Sequence, residues 1–182
     1  MRSHFWLVAV GVLLFLLGTA IEPERVYGTS WVEFQPEEVI EKAEVIVLGR
    51  YNFNQGKLLP EPNDSMWMPF TFEAEKYYKG SGEKLIIAAI EQYDVGWAQE
   101  FQEQGGVFML FLEKDEKNEE ILITVGGPNG MVQILNGDIQ NLSSEEARKY
   151  NDFLPKQKPV APTPNEGLLG YFEKSQWGWL MV

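Results

Sequence analysis

The chain has 182 residues, of which 27 are acidic and 15 are basic, so its formal net charge at pH 7 is −12. A surface this acidic repels phosphate backbones and excludes nucleic acid as an expected partner. The sequence contains no cysteine and a single histidine, His4. Disulfides and thiolate metal sites are therefore excluded.

The N-terminus predicts export. Met1 and Arg2 form a short basic start, and residues 5–20 are an apolar run without any charged side chain. This is the pattern of a secretory signal. As a helix the run covers roughly 25 Å, slightly less than the roughly 30 Å hydrocarbon core of a bilayer. We therefore expect residues 1–21 to be a cleaved signal peptide or an uncleaved membrane anchor, with the rest of the chain outside the cytoplasm, secreted or membrane-anchored.

The first elements after the signal are a helix and a strand. Residues 22–35 show no helical period and predict an extended lead-in. Pro36 stands at a first helical position, with acidic residues in the first turn and a lysine near the end, which predicts a short helix. Residues 43–51 are rich in β-branched side chains and predict a strand, with Gly49 as a bulge or a close-packing point. Residues 54–66 hold glycine, proline, asparagine and aspartate and predict a loop.

Further short apolar or alternating segments, separated by glycine-bearing turns, are typical of an all-β domain. Residues 91–106 carry glycines between polar side chains and predict an irregular connection, and residues 126–130 predict a turn. Ser143 and Glu146 form a capping box that predicts a short helix closing the domain. The remaining strands are expected at residues 70–78, 85–90, 107–112, 121–125 and 131–135.

Residues 36–154 are thus expected to form one mainly β domain, with a short helix before its first strand and another after its last. Residues 155–166 begin with four prolines in ten positions, which predicts an extended linker. The aromatic and apolar tail, residues 167–182, has three interpretations. It is a strand that returns to the domain, a segment at a membrane interface, or the start of a further element.

The order of these elements carries a family resemblance. Together with residues 43–49 (AEVIVLG), 75–80 (EKYYKG) and 105–112 (GGVFMLFL), it is similar to the N-terminal, netrin-like domain of tissue inhibitors of metalloproteinases and to its cysteine-free bacterial relatives. The resemblance covers about residues 36–140 and implies an OB-fold, a five-stranded antiparallel barrel, with which the pattern of turns and short strands agrees. In those inhibitors an N-terminal cysteine chelates the protease's zinc. This chain has no cysteine, so that mechanism is carried over to no residue here.

Residue types suited to catalysis are scarce. Because His4 lies in the predicted signal, the exported part has no imidazole for acid–base chemistry, a Ser-His-Asp triad or a zinc site. We expect no catalytic residue, no metal and no cofactor. Glu91, Asp94, Glu100 and Glu103 leave open a carboxylate-dependent hydrolase that acts on cell-wall polymer, against the simpler interpretation of a solvated acidic loop.

A binding role is the main hypothesis. OB-folds bind oligomers on exposed surfaces, and an acidic domain favours a sugar or a peptide over nucleic acid. The sequence predicts a non-catalytic binding or interaction module whose partner is an unknown protein, peptide or glycan at the cell surface, with the N-terminal helix in the membrane if it is uncleaved. Core packing is the alternative role of the candidate binding residues, which are Trp67, Tyr77, Tyr78, Trp97 and Phe101.

Overall fold

The computed structural model describes residues 33–55, 66–117, 119 and 121–165. The predicted export signal at residues 1–21 and the predicted tail at residues 167–182 lie outside the described residues, as do most of the lead-in and most of the loop at residues 54–66. No helix in the described part of the chain is long and apolar enough to cross a membrane.

The described residues form three α-helices, seven strands and three short 3₁₀ helices. The α-helices are α1 (Pro36–Lys42), α2 (Val95–Glu103) and α3 (Ser144–Phe153). The strands are β1 (Val45–Asn52), β2 (Trp67–Lys79), β3 (Leu85–Glu91), β4 (Val107–Lys114), β5 (Leu122–Thr124), β6 (Met131–Leu135) and β7 (Asp138–Gln140). The 3₁₀ helices are Phe53–Gln55, Gly127–Gly130 and Leu154–Lys156.

Five strands close into a barrel in the order β1-β2-β3-β5-β4, because β4 pairs with β1. Strands β6 and β7 extend the sheet from β4. The predicted mainly β fold with a five-stranded barrel, one helix before the first strand and one after the last is confirmed.

The expectation of an antiparallel barrel is wrong at one pair. Strands β3 and β5 run parallel, with Ala88 beside Leu122, whereas the other four pairs of the barrel are antiparallel. Directions cannot alternate all the way around a closed ring that has an odd number of strands. One parallel pair is therefore a geometric requirement of this barrel.

Aromatic rings fill the barrel interior. Phe72 and Phe108 are fully buried there, and Tyr51 packs against both at centroid distances of 5.0 and 6.1 Å. Gly49 lets β1 approach β2 closely, because a Cβ at this position would overlap the carbonyl oxygen of Glu73. The register between the two strands shifts beside this glycine. The predicted role of Gly49 as a bulge or close-packing point is confirmed.

A second core lies between the outer face of β1, β4 and β6 and the helices α1 and α3. The Phe111 ring of β4 lies 5.1 Å from the Tyr150 ring of α3. An ion pair between Lys149 and Glu37, 3.0 Å apart, joins the two helices at the surface. The two helices therefore cover one outer side of the barrel, whereas α2 packs against the barrel core.

The capping box predicted at the last helix is confirmed. The amide of Glu146 donates to Oγ of Ser143 at 3.3 Å, and the amide of Ser143 donates to Oε2 of Glu146 at 2.9 Å. Two backbone donors that a helix start leaves without an intrahelical acceptor are thereby satisfied.

Residues 91–106 are not the irregular connection that the sequence predicts, because they contain α2. The amide of Ala98 donates to the carbonyl of Asp94 at 2.9 Å, and Ala98 and Phe101 pack into the barrel core. No atom lies near the position that a Cβ would take at Gly96. This glycine therefore lowers helix propensity without serving the packing. Burial of two apolar side chains at helical spacing outweighs the glycines.

The proline-rich residues 155–166, predicted as a linker, are extended but also contact the barrel over their described part. Val160 exchanges two backbone hydrogen bonds with Tyr77, at 2.8 and 3.0 Å. The side-chain amide of Asn165 pairs with the backbone N–H and C=O of Leu85, at 2.8 Å each. The segment therefore runs along β2 to the start of β3.

Candidate binding site

Helix α2 separates two surface cavities because it presents a different face to each. Gln99, Gln102 and Glu103 line one cavity. The other cavity is lined by the face that carries Trp97, Glu100, Phe101 and Gln104. These four positions recur at the three- and four-residue spacing of one helix face.

The β1-side cavity has a volume of 370 Å³ and lies between α2 and the end of β1. Gln102 fixes the helix here, since its Oε1 accepts from the Tyr51 amide at 2.7 Å and its Nε2 donates to the Tyr51 carbonyl at 2.9 Å. Nη2 of Arg50 donates to the Gly105 carbonyl at 3.0 Å, just beyond the helix end. Arg50 and Gln102 thus both help to hold α2 to the barrel.

Several other polar groups of the β1-side cavity are also paired, although the hydroxyl of Tyr51, which lines the cavity, is buried without a partner in the described structure. Gln99 donates to Glu103 at 3.2 Å. Asn52 accepts from the Asn54 amide at 3.1 Å, and Glu73 forms an ion pair at 3.0 Å. Most polar side chains of this cavity therefore already make a bond within the protein.

The β6–β7 cavity has a volume of 310 Å³. Opposite α2 it is lined by Gln133 and Leu135 of β6, by Gln140 of β7 and by Asn141. A two-residue turn builds this wall, because Asn136 and Gly137 both have positive φ, 54° and 90°, as the tight type I′ hairpin turn requires. The turn sets Gln140 directly opposite Gln133 in the antiparallel ladder.

Gln133 is the least exposed polar residue of the β6–β7 cavity. It retains 4 % of its surface, and its side chain makes no hydrogen bond with any other described residue. The amide atoms of Gln133 are not among the fully buried polar atoms without a partner, so they reach the open space of the cavity. Gln104 on the α2 wall and Asn141 on the opposite wall also have side chains without a hydrogen bond among the described residues. Three carboxamides of this cavity therefore make no bond within the described structure, whereas most polar side chains of the β1-side cavity make one.

Two aromatic rings form the apolar part of the β6–β7 cavity. The rings of Trp97 and Phe101 lie 5.7 and 5.2 Å from that of Phe108, so the barrel core supports both. Phe101 is 8 % exposed, whereas Trp97 is half-buried. The indole is thus held from behind and presents its open side to the cavity.

The five aromatic residues predicted as a binding surface do not share one surface. Tyr77 lies inside the barrel, where its hydroxyl donates to the Glu83 carbonyl at 2.7 Å and burial raises its pKa to about 12. Tyr78, the next residue of the strand, points to the opposite side and packs on the second core. Trp67 is half-buried at the start of β2. The remaining two, on α2, line the β6–β7 cavity together.

The four acidic residues considered for a hydrolase are also dispersed. Glu91 is buried at the end of β3, while Glu100 and Glu103 line different cavities. Burial raises the pKa of Asp94, whose Oδ2 has no hydrogen-bond partner within the described structure. No group of three or more acidic, histidine or cysteine side chains among the described residues is placed to hold a metal ion.

Comparisons of the chain with protein-family models, curated proteins and solved structures find no match. We therefore infer the chemistry of the site from the geometry of its lining residues. The β6–β7 cavity combines four carboxamide side chains, one carboxylate and an indole ring. Carboxamides donate and accept hydrogen bonds but do not act as nucleophiles or proton carriers at neutral pH. The arrangement is suited to hold a polar molecule.

Sequence interpretation missed the carboxamides of this site, which are Gln104, Gln133, Gln140 and Asn141. One available signal is the Asn136-Gly137 pair, which is a strong indicator of a hairpin and predicts β7. With β7 in place, Gln140 is expected on the same face as Gln133. No local signal brings these residues to α2, because that contact joins segments about thirty residues apart.

Proposed function

We propose that this chain is an exported binding module and that its ligand occupies the β6–β7 cavity. The observation that carries the proposal is Gln133, a buried carboxamide that faces a cavity and has no hydrogen-bond partner in the described structure. A ligand in the cavity can therefore pair with donors and acceptors that the fold leaves unused. The apolar run at residues 5–20 supports export, so the module works outside the cytoplasm, secreted or anchored by that run.

We assign the barrel to the OB-fold. The order β1-β2-β3-β5-β4, with closure between β4 and β1 and a helix between β3 and β4, supports this assignment. It also agrees with the resemblance to tissue inhibitors of metalloproteinases, which stays a prediction. The proposed site differs from the strand face and loops that OB-folds commonly use, and it needs no zinc-chelating cysteine.

Side-chain amide signals in ¹H–¹⁵N correlation spectra test the site. The full chain is labelled with ¹⁵N, kept in detergent micelles, and titrated with extracts of cell-surface material. We expect the NH₂ signals of Gln133, Gln104 and Gln140 and the indole signal of Trp97 to shift. The NH₂ signal of Gln102, which is bonded to β1, is the internal control. Shifts confined to other parts of the barrel, or no shift with any extract, contradict the proposal.

A carboxylate-dependent hydrolase is the second candidate, and Asp94 is the observation that favours it. A raised carboxyl pKa is what a general acid requires. The test is turnover of cell-wall polymer by the full chain and by Asp94→Asn. No turnover by the wild type, or equal turnover by both, removes this candidate.

A further inference from the structure

We propose that the ligand of the β6–β7 cavity is an uncharged oligosaccharide. This inference rests on the proposed function, since it names the chemical class of the molecule that the cavity holds. It draws on three properties of the lining residues: their hydrogen-bonding groups, their charge and their aromatic surface.

The hydrogen-bonding groups match sugar hydroxyls. A hydroxyl both donates and accepts, and so does a carboxamide, which offers two N–H donors and a carbonyl acceptor. Gln133 and Gln104 project such groups into the cavity from opposite walls, and neither side chain has a hydrogen bond among the described residues. Neighbouring hydroxyls of one sugar ring can therefore pair with carboxamides on both walls.

The charge of the lining residues excludes anionic ligands. No lysine, arginine or histidine lines the β6–β7 cavity, and its one ionisable side chain is Glu100. A phosphate, a sulfate or an acidic sugar would lie beside this carboxylate without a cation to neutralise it, which is costly. A hydroxyl of an uncharged sugar can instead donate a hydrogen bond to the carboxylate, and charge-assisted hydrogen bonds of this kind are the stronger ones.

The aromatic surface matches one face of a sugar ring. Trp97 is held by Phe108 at a centroid distance of 5.7 Å and lines the cavity with its open side. The face of an indole carries partial negative charge, so it attracts the C–H groups of a pyranose ring. A cavity of 310 Å³ is at the small end of ligand pockets, about 300–1,000 Å³. It accommodates a short segment of a glycan and no folded partner.

A peptide is the main competing ligand, because its backbone also donates and accepts. Peptide recognition in a cavity usually relies on apolar pockets for side chains. Here the apolar groups other than Trp97 are Phe101, which is only 8 % exposed, and the half-buried Leu135. The walls are otherwise polar, which favours the sugar.

Titration of the ¹⁵N-labelled full chain with defined probes tests the inference. The probes are cellotetraose and chitotetraose as neutral glycans, tetragalacturonate as the anionic glycan, and a capped tetra-alanine peptide. We expect the neutral glycans to shift the Gln133 NH₂ and Trp97 indole signals, and the anionic glycan to bind at least tenfold more weakly.

Variants link the binding to the cavity. Gln133→Leu and Gln104→Ala should each weaken binding of the neutral glycan about tenfold, the value of one good hydrogen bond. Gln104 is exposed, so its substitution leaves the fold intact. Gln99→Leu on the opposite face of α2 is the matched control and should bind like the wild type.

The possible failures are distinguishable. If the peptide or the anionic glycan shifts the cavity signals and the neutral glycans do not, the glycan inference is wrong and the proposed function stands. The same conclusion holds if only cell-surface extract shifts them. If neither the probes nor the extract shift these signals, both the inference and the proposed function are wrong.

Discussion

The two cavities beside α2 have similar volumes, 370 and 310 Å³, but their polar groups have different roles. On the β1 side, Gln102 and Arg50 hold the helix to the strand and to the backbone that follows it. On the β6–β7 side, the side chains of Gln133 and Gln104 bond to no other described residue. The first set of groups stabilises the fold, and the second remains available to a ligand.

The difference shows that the presence of polar residues in a cavity does not by itself indicate a site. Most polar side chains that line the β1-side cavity are bonded within the protein, although the buried Tyr51 hydroxyl has no partner in the described structure. The informative feature is a set of polar side chains that line a cavity and make no bond within the described structure, as Gln133 and Gln104 do. The predictions below test this distinction.

The largest expected effect is the loss of stability on substitution of Phe108, whose ring supports the residues beside both cavities. It contacts Tyr51 next to the β1-side cavity and Trp97 and Phe101 next to the β6–β7 cavity. We expect Phe108→Ala to lower the free energy of unfolding by about 4 kcal/mol, measured by urea denaturation of the full chain. Tyr93→Ala, at a residue that is 69 % exposed, should change it by less than about 0.5 kcal/mol. A loss below about 1 kcal/mol at Phe108 contradicts the shared support.

The second prediction contrasts one glutamine from each cavity. Gln102→Ala removes two hydrogen bonds and leaves the N–H and C=O of Tyr51 without partners, which should lower the free energy of unfolding by about 3 kcal/mol. Gln133→Leu removes a buried amide that has no partner within the described structure. It should change stability by less than about 0.5 kcal/mol or increase it. Equal losses in the two variants would mean that both glutamines are structural.

The third prediction concerns the close contact between the end of α2 and β4. A Cβ at Gly106 would overlap the ring of Phe101, so Gly106→Ala should destabilise the protein by about 2 kcal/mol through overpacking. Gly96→Ala is the matched control inside α2, where nothing lies near the new methyl group. It should stabilise the protein by about 0.5–1 kcal/mol. Thermal unfolding of the two variants in parallel gives both values, and a neutral Gly106→Ala would show that the helix end is loosely packed.

The barrel could be predicted from the sequence because its strands are continuous apolar or alternating runs. Residues 107–112 and 131–135 became β4 and β6 at almost the predicted bounds, and Gly49 took its expected place at a register shift. Hydrophobic periodicity and turn-forming residues are local properties of the sequence, so these features can be predicted without knowledge of the fold. Helix α2 could not be predicted in the same way, because it has no side-chain cap and contains a glycine.

The candidate site was less predictable than the barrel. Trp97 and Phe101 were singled out for their aromatic rings, yet only the fold shows that they line a cavity while Tyr77 fills the core. Gln133 has no local signal at all. Its role depends on the inward position it takes in β6 and on the approach of α2, which is set by long-range pairing and by the burial of Phe101.

The smallest expected effect is a pH dependence at Asp94, the residue before α2. Partial burial raises the pKa of its carboxyl above the ordinary 3.8, and its Oδ2 has no partner among the described residues. The folded state therefore binds the proton more tightly than the unfolded state. Ionisation of Asp94 costs stability at pH values above the folded pKa, and this cost disappears below pH 3.8, where both states are protonated.

Asp94→Asn should accordingly be more stable than the wild type at pH 7 and equally stable at pH 3, as measured by urea denaturation across that range. Asparagine is as good as aspartate before a helix, so the difference reports the charge. Glu146→Gln is the control of opposite sign, because hydrogen bonds from Ser143 lower the pKa of Glu146. Its loss of stability should be present at pH 7 and vanish as the pH falls through that lowered pKa. If Asp94→Asn is instead less stable at pH 7, the carboxylate is paired like the acidic groups of the β1-side cavity, and the contrast between the two sides of α2 does not extend to its first turn.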